Sequence, residues 1–314
     1  MVDFTVAICT YNGEKRVLDV LEKLRSQIGT EKIYWEILII DNNSTDKTAE
    51  VVKDYLSNWT EPCSLKYYFE AEKGLAFARR CAIREAQSDL IGFLDDDNLP
   101  YPNWVAAAYS FGQTHADAGA YGGQIHGKFE VEPPPGFERI ARFFALIEGN
   151  KNYCYNEKYP SSKKRMFPPG AGIVIRKKAW LDSIPAIPLL PQTSEDLEML
   201  HYLWQKGWKI WFNAEMELDH LIPKSRFEQE YLRKFFRQNG LCRYYFRMLN
   251  YQPWQRPVIS LIYMINDFRK AIVFYIKNRN SLKTDVVING EMKLLISLSL
   301  SPFYHWKNRF SITN

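Results

Sequence analysis

The sequence predicts an α/β fold: a mostly parallel central sheet flanked by helices, then a helical C-terminal extension. Three observations carry this. Strand-like apolar runs alternate with amphipathic helical stretches over the first hundred residues, joined by short connections, the pattern of a parallel sheet covered by helices. Polar residues gather just after three of those strands, where open α/β sheets bind ligands. From Arg226 onward strand signals stop and long basic, aromatic helical segments take over.

The elements follow in order. "FTVAIC" (4–9) reads as a buried strand and "RVLDVLEKLRSQI" (16–28) as an amphipathic helix. "EILIID" (36–41) is a second strand, with a helix through "TAEVVKDYL" (48–56). "SLKYYFE" (64–70), a helix over 75–87 and "LIGFLD" (90–95) complete the regular series. "PPP" (133–135) then breaks the chain, "FERIARFFALIEG" (137–149) suggests a helix, and 150–165 reads as an exposed loop. "GAGIVIRKKAW" (170–180) and "WKIWFNAEMELDH" (208–220) add strands around a helix at 195–206. Two helices are expected over 226–249 and 257–279. The second is split by Asp267, Arg269 and Lys270, so no uninterrupted run of about 18 apolar residues is read in the chain, which weighs against a transmembrane span. This divides the chain into an α/β domain, 1–222, with halves over 1–118 and 119–222, and a basic aromatic extension, 223–314.

At 314 residues, 46% hydrophobic and 25% charged, the chain has ordinary globular composition and length for a substantial core. Its opening runs directly into strand-like sequence, so no secretory leader is expected. Five scattered cysteines without a CxxC favour a reducing, cytoplasmic compartment and argue against a structural zinc site. The net charge of +5 conceals an asymmetry: after His220 there are sixteen Lys/Arg and five Asp/Glu. Such a tail suits an anionic partner. With no nucleic-acid-binding motif present, peripheral contact with an anionic membrane, at the inner face of the plasma membrane, is the preferred reading.

The strand ends hold the chemistry. "FLDDDNLPYP" (93–102) sets three carboxylates side by side. A pair about 4 Å apart repels by roughly 4 kcal/mol at an effective dielectric of 20, so a compensating charge or full solvation is required. Extended-strand alternation turns Asp95 and Asp97 to one face and Asp96 outward on the other, where it is the member least expected to matter. Two converging carboxylates can hold a hard cation with sites left for diphosphate oxygens and water. The alternative is a solvated turn. An EF-hand is excluded by the missing Gly and distal Glu. In "IDNNSTDKT" (40–48), Ser44, Thr45 or Asp46 could cap the next helix, with Asp46 well placed near its positive N-terminus, while Asp41 could accept a nucleobase N–H. Arg79, one turn into a helix begun by Gly74, suits a phosphate or pocket carboxylate. In "QTSEDLEML" (192–200), Thr193 and Asp196 match a capping box, and one acid there could equally serve as a general base. No dinucleotide fingerprint, P-loop or nucleophile elbow is present.

Taken in order, "VAICTYNG", "IDNNSTDKT", "GLAFARR", "FLDDDNLPYPNW", "PGAGIVIRKKAW" and "SEDLEMLHYLWQKGWKIWF" resemble family 2 glycosyltransferases of the GT-A fold, over about residues 4–213. "HLIPKSR" (220–226) with the helix after it resembles bacterial exopolysaccharide glycosyltransferases, with a cyanobacterial hormogonium-polysaccharide type as the narrower likeness. The resemblance implies that Thr10, Tyr11 and Asn12 line the nucleotide pocket, Asp41 recognises the base and Arg79 holds the nucleotide. Asp95-x-Asp97 would be the DxD metal motif, with His220 a further ligand to Mn²⁺ or Mg²⁺. Gly170, Ala171 and Gly172 would give the sugar and acceptor room. Asp95, Asp96 and Glu195 would also belong to the nucleotide-sugar-binding set, and Asp196 would be the catalytic base. Asn98 stands where many relatives have an acid, and its carbonyl oxygen could still bind. The implied activity is inverting transfer from a nucleotide-diphosphate sugar, a UDP-sugar above others, to a saccharide or lipid-linked acceptor. A metal-dependent nucleotidyltransferase and a non-catalytic nucleotide-sugar-binding module are the rivals.

Overall fold

The computed structural model describes residues 1–158, 167–185, 195–249 and 251–312. They fall into two compact units. The first comprises Met1–Lys128, Ala145–Pro188 and Met199–Leu221, the second Phe129–Phe144, Leu189–Glu198 and Ile222–Asn314.

Strands β1 (Phe4–Thr10), β2 (Trp35–Asp41), β3 (Ser64–Phe69) and β4 (Leu90–Asp95) pair in parallel in the order β3-β2-β1-β4. Helices α1 (Val17–Arg25), α2 (Thr48–Ser57) and α3 (Leu75–Glu85) make the returns. The register levels the carboxyl ends: Thr10 lies opposite Asp41, Asp41 opposite Phe69 and Cys9 opposite Asp95. Polar residues far apart in sequence therefore share one sheet edge.

The rest of the sheet comes from β5 (Asn98–Pro100), β6 (Ala118–Phe129), β7 (Tyr153–Cys154), β8 (Ile173–Arg176) and β9 (Lys209–Ile222). β8 runs antiparallel to β4 and β6, and β9 antiparallel to β5 and β7. Helices α4 (Trp104–Thr114), α5 (Tyr155–Lys158), α6 (Lys177–Ser183) and α7 (Glu195–Gln205) complete the series up to β9.

Both sheet faces are buried, which is why the inner strands read as continuous apolar runs. Val6, Ile8, Ile37 and Ile39 pack on one side with Leu21, Leu24 and Trp104. Ala7, Leu38 and Ile40 pack on the other with Ala78, Ala82, Ile91, Leu200 and Leu203. Each large aliphatic chain so buried contributes about 1.5–3 kcal/mol. Gly92 lets the Trp104 indole approach β4 closely, since a Cβ there would sit 2.6 Å from Trp104 Cη2.

Three expectations need correction. No α-helix forms over 137–149; Phe137–Arg139 and Ala141–Phe144 make short 3-10 turns, and Ala145 is left-handed at φ 63°. Aromatic packing overrides helix propensity here, with Phe137 at 5.4 Å, centroid to centroid, from both Phe129 and Phe227. In the expected loop 150–165, β7 and α5 occupy 153–158, and 159–166 lies outside the described residues. The extension holds α8 (Gln229–Leu249), α9 (Arg256–Asn278) and a third helix not expected from sequence, α10 (Val286–Ile312). α8 and α10 approach closely at small residues: a Cβ on Gly240 would lie 2.5 Å from Ser297, and one on Gly290 2.7 Å from Phe236. Within α10, Val286–Trp306 has mean hydropathy 1.2 and is long and apolar enough to cross a membrane, with 33% of its most apolar window buried.

Candidate active site

The carboxyl edge of β1, β2 and β3 is held by three loops that hydrogen-bond one another. Asn12, left-handed at φ 53°, donates its backbone N–H to Ser44 Oγ at 2.9 Å and accepts the Thr45 N–H at 2.8 Å. The Gly13 N–H reaches Thr48 Oγ1 at 2.9 Å. Asn42 ties in the third loop, donating to Glu72 O at 2.6 Å and accepting the Gly74 N–H at 2.7 Å. Asp46 accepts the Thr48 N–H at 3.0 Å and the Glu14 N–H at 3.2 Å. Burial works against its charge, but bonds from the Thr48 hydroxyl, the Thr48 N–H and the Glu14 N–H outweigh it and hold the carboxyl below its ordinary range. Lys47 is the N-cap of α2 and makes no side-chain cap bond; Asp46, one residue before it, bonds the first helical residue, Thr48, and joins two loops.

Asp41 is 1% exposed at the end of β2. Its Oδ1 accepts the Ser44 N–H at 2.9 Å and its Oδ2 the Tyr67 hydroxyl at 2.7 Å. Each oxygen keeps a second lone pair for a ligand N–H. Burial, then the bond to Asp41, pushes the Tyr67 hydroxyl far above its usual pKa, so it stays a donor. Tyr11 is exposed, with Lys73 Nζ 5.4 Å from its ring centroid. Arg79 is 2% exposed, its guanidinium 5.6 Å from the Phe93 ring centroid.

The three aspartates separate in a way that strand periodicity did not anticipate. β4 ends at Asp95 and the chain turns through Asp96 and Asp97, so period-two alternation stops there. Asp96 is not the outward-facing bystander that alternation predicts; it is 8% exposed. Thr10 Oγ1 donates to its Oδ2 at 2.7 Å, and Arg16 donates through Nε to Oδ1 at 2.9 Å and through Nη2 to Oδ2 at 3.1 Å. That bond to Asp96 raises the Arg16 pKa against desolvation, with the charges of Asp96, Asp97 and Asp46 adding to it. A protein cation therefore offsets part of the carboxylate crowding. Gly13 makes room, because a Cβ there would fall 2.1 Å from Thr10 Oγ1 and 2.6 Å from Asp96 Oδ2.

Asn98 closes the same turn. Its Oδ1 accepts the Asp95 N–H at 3.1 Å and its Nδ2 donates to Asp97 Oδ1 at 3.0 Å. The carbonyl oxygen read as a spare ligand is thus already engaged within the turn. β5 pairs Asn98 with His220 of β9, and His220 Nε2 lies 3.5 Å from Asp97 Oδ2, both residues buried. No group of three or more His, Cys, Asp and Glu side chains able to hold a metal converges among the described residues. Asp97 and His220 form a close pair instead, with Asp95 at the end of the preceding strand.

Gly170, Ala171 and Gly172 precede β8 and are buried. Gly172 is left-handed at φ 66°, and a Cβ there would lie 2.3 Å from Leu218 Cδ2. Asp196 is half-buried on the first turn of α7 and belongs to the second unit, as does the buried Glu198. The Glu195 side chain and the capping box at Thr193 lie outside the described residues. The structure brings together Thr10, Asp96, Asp97 and His220, and adds Arg16, Ser44, Thr48 and Tyr67, which sequence reading missed. No local pattern marks them, since Arg16 and Asp96 lie 80 positions apart.

The family model for glycosyl transferase family 2 matches residues 5–180. Among curated proteins, poly(ribitol-phosphate) beta-N-acetylglucosaminyltransferase TarS of Staphylococcus aureus (strain Mu50) is 28% identical over 116 residues, covering 37% of this chain and 20% of TarS. The chain thus spans about a fifth of that relative's length. Among solved structures, S. aureus TarS 1–349 in complex with UDP aligns with a TM-score of 0.53 at 16% identity, over 98% of this chain and 92% of that one. GalNAc-T7 with UDP, GalNAc and Mn²⁺ aligns with a TM-score of 0.54 at 16% identity, over 76% of this chain and 47% of that one.

Proposed function

The chain belongs to glycosyl transferase family 2 and has the GT-A fold, and from that premise we propose that it moves a sugar from a nucleotide-diphosphate sugar, a UDP-sugar, to a saccharide or lipid-linked acceptor, with inversion, in exopolysaccharide assembly. One observation carries the reading. A cross-tied set of polar residues, with Thr10, Asp41, Asp96, Asp97 and His220 buried and Asn12 half-buried, occupies the carboxyl edge where an α/β sheet takes a nucleotide. The UDP in the TarS structure is consistent with this choice of donor.

Asp41 accepts an N–H of the base, the exposed Tyr11 ring covers it, and Arg79 steadies the nucleotide. The left-handed Gly172 and its neighbours Gly170 and Ala171 let sugar and acceptor approach the backbone. Asp95, Asp97 and His220 would hold Mn²⁺ or Mg²⁺. The fit is to a cation with few protein ligands, because Asp97 Oδ2 and His220 Nε2 are 3.5 Å apart while Asp97 Oδ1 is engaged by Asn98. Such a cation supplies neutralisation of the charge growing on the departing diphosphate. Asp196 removes the proton of the attacking hydroxyl as the new bond forms. Asp96 serves through Arg16 by keeping the 95–98 turn in place. The basic extension holds the chain peripherally at an anionic membrane, at the cytoplasmic face where lipid-linked acceptors lie.

A thermal-shift panel of nucleotide sugars, with and without Mn²⁺, tests the donor reading. One UDP-sugar should stabilise the protein more with metal than without. Uniform absence of any shift would overturn it. Release of UDP rather than pyrophosphate in an acceptor assay separates this activity from nucleotidyl transfer.

A further inference from the structure

α9 carries an apolar stripe that faces solvent. Val258, Leu261, Ile265, Phe268, Ile272 and Ile276 are 45–63% exposed and recur every three or four residues. Side chains at that spacing share one face of a helix and here extend about 27 Å along it. The inward side is different in kind. Asp267 and Ala271 are 1% and 5% exposed, and Asp267 takes both guanidinium bonds of Arg247. The one acid of α9 is thus turned inward and neutralised. Arg269, Lys270 and Lys277 are exposed on the same helix, and Arg279 and Lys283 follow it, also exposed. The outward surface is therefore apolar and purely cationic.

We propose that this face of α9 docks on an anionic membrane leaflet, lying in the interfacial plane with its apolar stripe at the acyl boundary; the assignment rests on the membrane contact proposed above. The charge pattern selects this occupant. A lipid surface accepts the stripe and offers anionic headgroups to the cations beside it. Arg269 can lay its methylenes along the stripe and extend its guanidinium to the headgroups. A second copy of the chain would bring the same cations against their own images with no acid to offset them.

The test is flotation of the full chain with phosphatidylcholine vesicles, with and without phosphatidylglycerol. The native chain should float with the anionic vesicles and release as salt is raised. Ile265→Glu with Phe268→Glu should reduce the bound fraction about tenfold or more, since both substitutions place charge on the stripe that meets the acyl boundary. Arg269→Gln with Lys270→Gln should weaken binding about fivefold per cation at low salt. Circular dichroism and the UDP-sugar thermal shift serve as controls and should not change. If the native chain binds vesicles and the Glu variant binds equally well, the α9 assignment is wrong while the membrane contact stands. If the native chain ignores anionic vesicles, both fall. A dimer by light scattering that the Glu variant dissolves would assign the face to self-association and overturn the proposal.

Discussion

Replacing Arg16 by Met isolates what holds the aspartate turn. The change keeps most of the aliphatic stem and removes two charge-assisted hydrogen bonds to Asp96, at 2.9 and 3.1 Å. Bonds to charged groups contribute about 1.5–3 kcal/mol each, and stripping one partner from a buried pair costs roughly 3–5 kcal/mol. The Arg16 side chain is 43% exposed against 11% for Asp96, so solvent screens one partner and the larger figure does not apply. Thr10 also remains bonded to Asp96. A loss of about 2 kcal/mol is expected, or roughly 4–8 °C in Tm for a cooperative unit of 150–250 residues. Scanning calorimetry on Arg16→Met, Asp96→Asn and the double variant closes a thermodynamic cycle, and the coupling should recover most of that loss. Because Asp97 follows directly in the same turn, Mn²⁺-dependent UDP affinity should fall in parallel. A Tm within about 1 °C of the parent, together with additive single changes, would refute the view that this pair braces the turn.

Further outcomes follow from the same geometry. Asp196→Asn should lower the transfer rate by about 10²–10⁴, the range of a positioned general base, while titrations of the donor stay near native. Asp97→Ala should weaken donor binding in the presence of Mn²⁺ and leave metal-free binding little changed, as read by calorimetric titration. Gly13→Ala forces a Cβ into the Thr10–Asp96 contact and should lower both Tm and donor affinity. His126 offers a pH test. Desolvation lowers its pKa, but the hydrogen bonds its ring N–H groups donate to Glu217 and Glu148, at 2.9 and 3.1 Å, prevail and raise it. A raised folded-state pKa contributes stability in full below the unfolded value of about 6.5 and loses it as pH climbs through the folded value. His126→Gln should therefore be less stable than the parent below about pH 6.5, with the gap narrowing as pH rises, in urea melts across that range.

Much of the first unit is legible in the sequence. Strands buried on both faces, such as "VAIC" and "ILII", need no tertiary knowledge to identify, nor do helices with a clear apolar stripe. β6 reads poorly because "AGAYGGQIHGKF" is glycine-rich and lacks strand alternation; its place comes from pairing with β8 and from packing. Gly119 and Gly123 have backbone room only for hydrogen, facing Trp208 and Met216, and that demand comes from elsewhere in the chain. α10 hid for the opposite reason, since "LLISLSLSP" interleaves small polar residues that only a close helix neighbour explains. At the site, residue types at the strand ends were legible and their partners were not. Asp96 shows the limit: a period-two rule holds only while the strand lasts, and this one stops one residue earlier.

The cross-ties between loops also order events during synthesis. Asn12 to Ser44, Gly13 to Thr48 and Asn42 to Gly74 each close over some 32–35 positions, and Arg16 to Asp96 over 80. His220 reaches Asp97 only once β9 has been made, long after the aspartates have left the ribosome. Contacts of short sequence separation form sooner than distant ones, and N-terminal segments are the first free to fold. The nascent chain can therefore assemble the carboxyl edge of β1 to β4 while the histidine of the Asp97–His220 pair is still unmade. A ribosome-bound fragment just long enough to free β4 and Asp96 from the exit tunnel is the natural place to look for early structure.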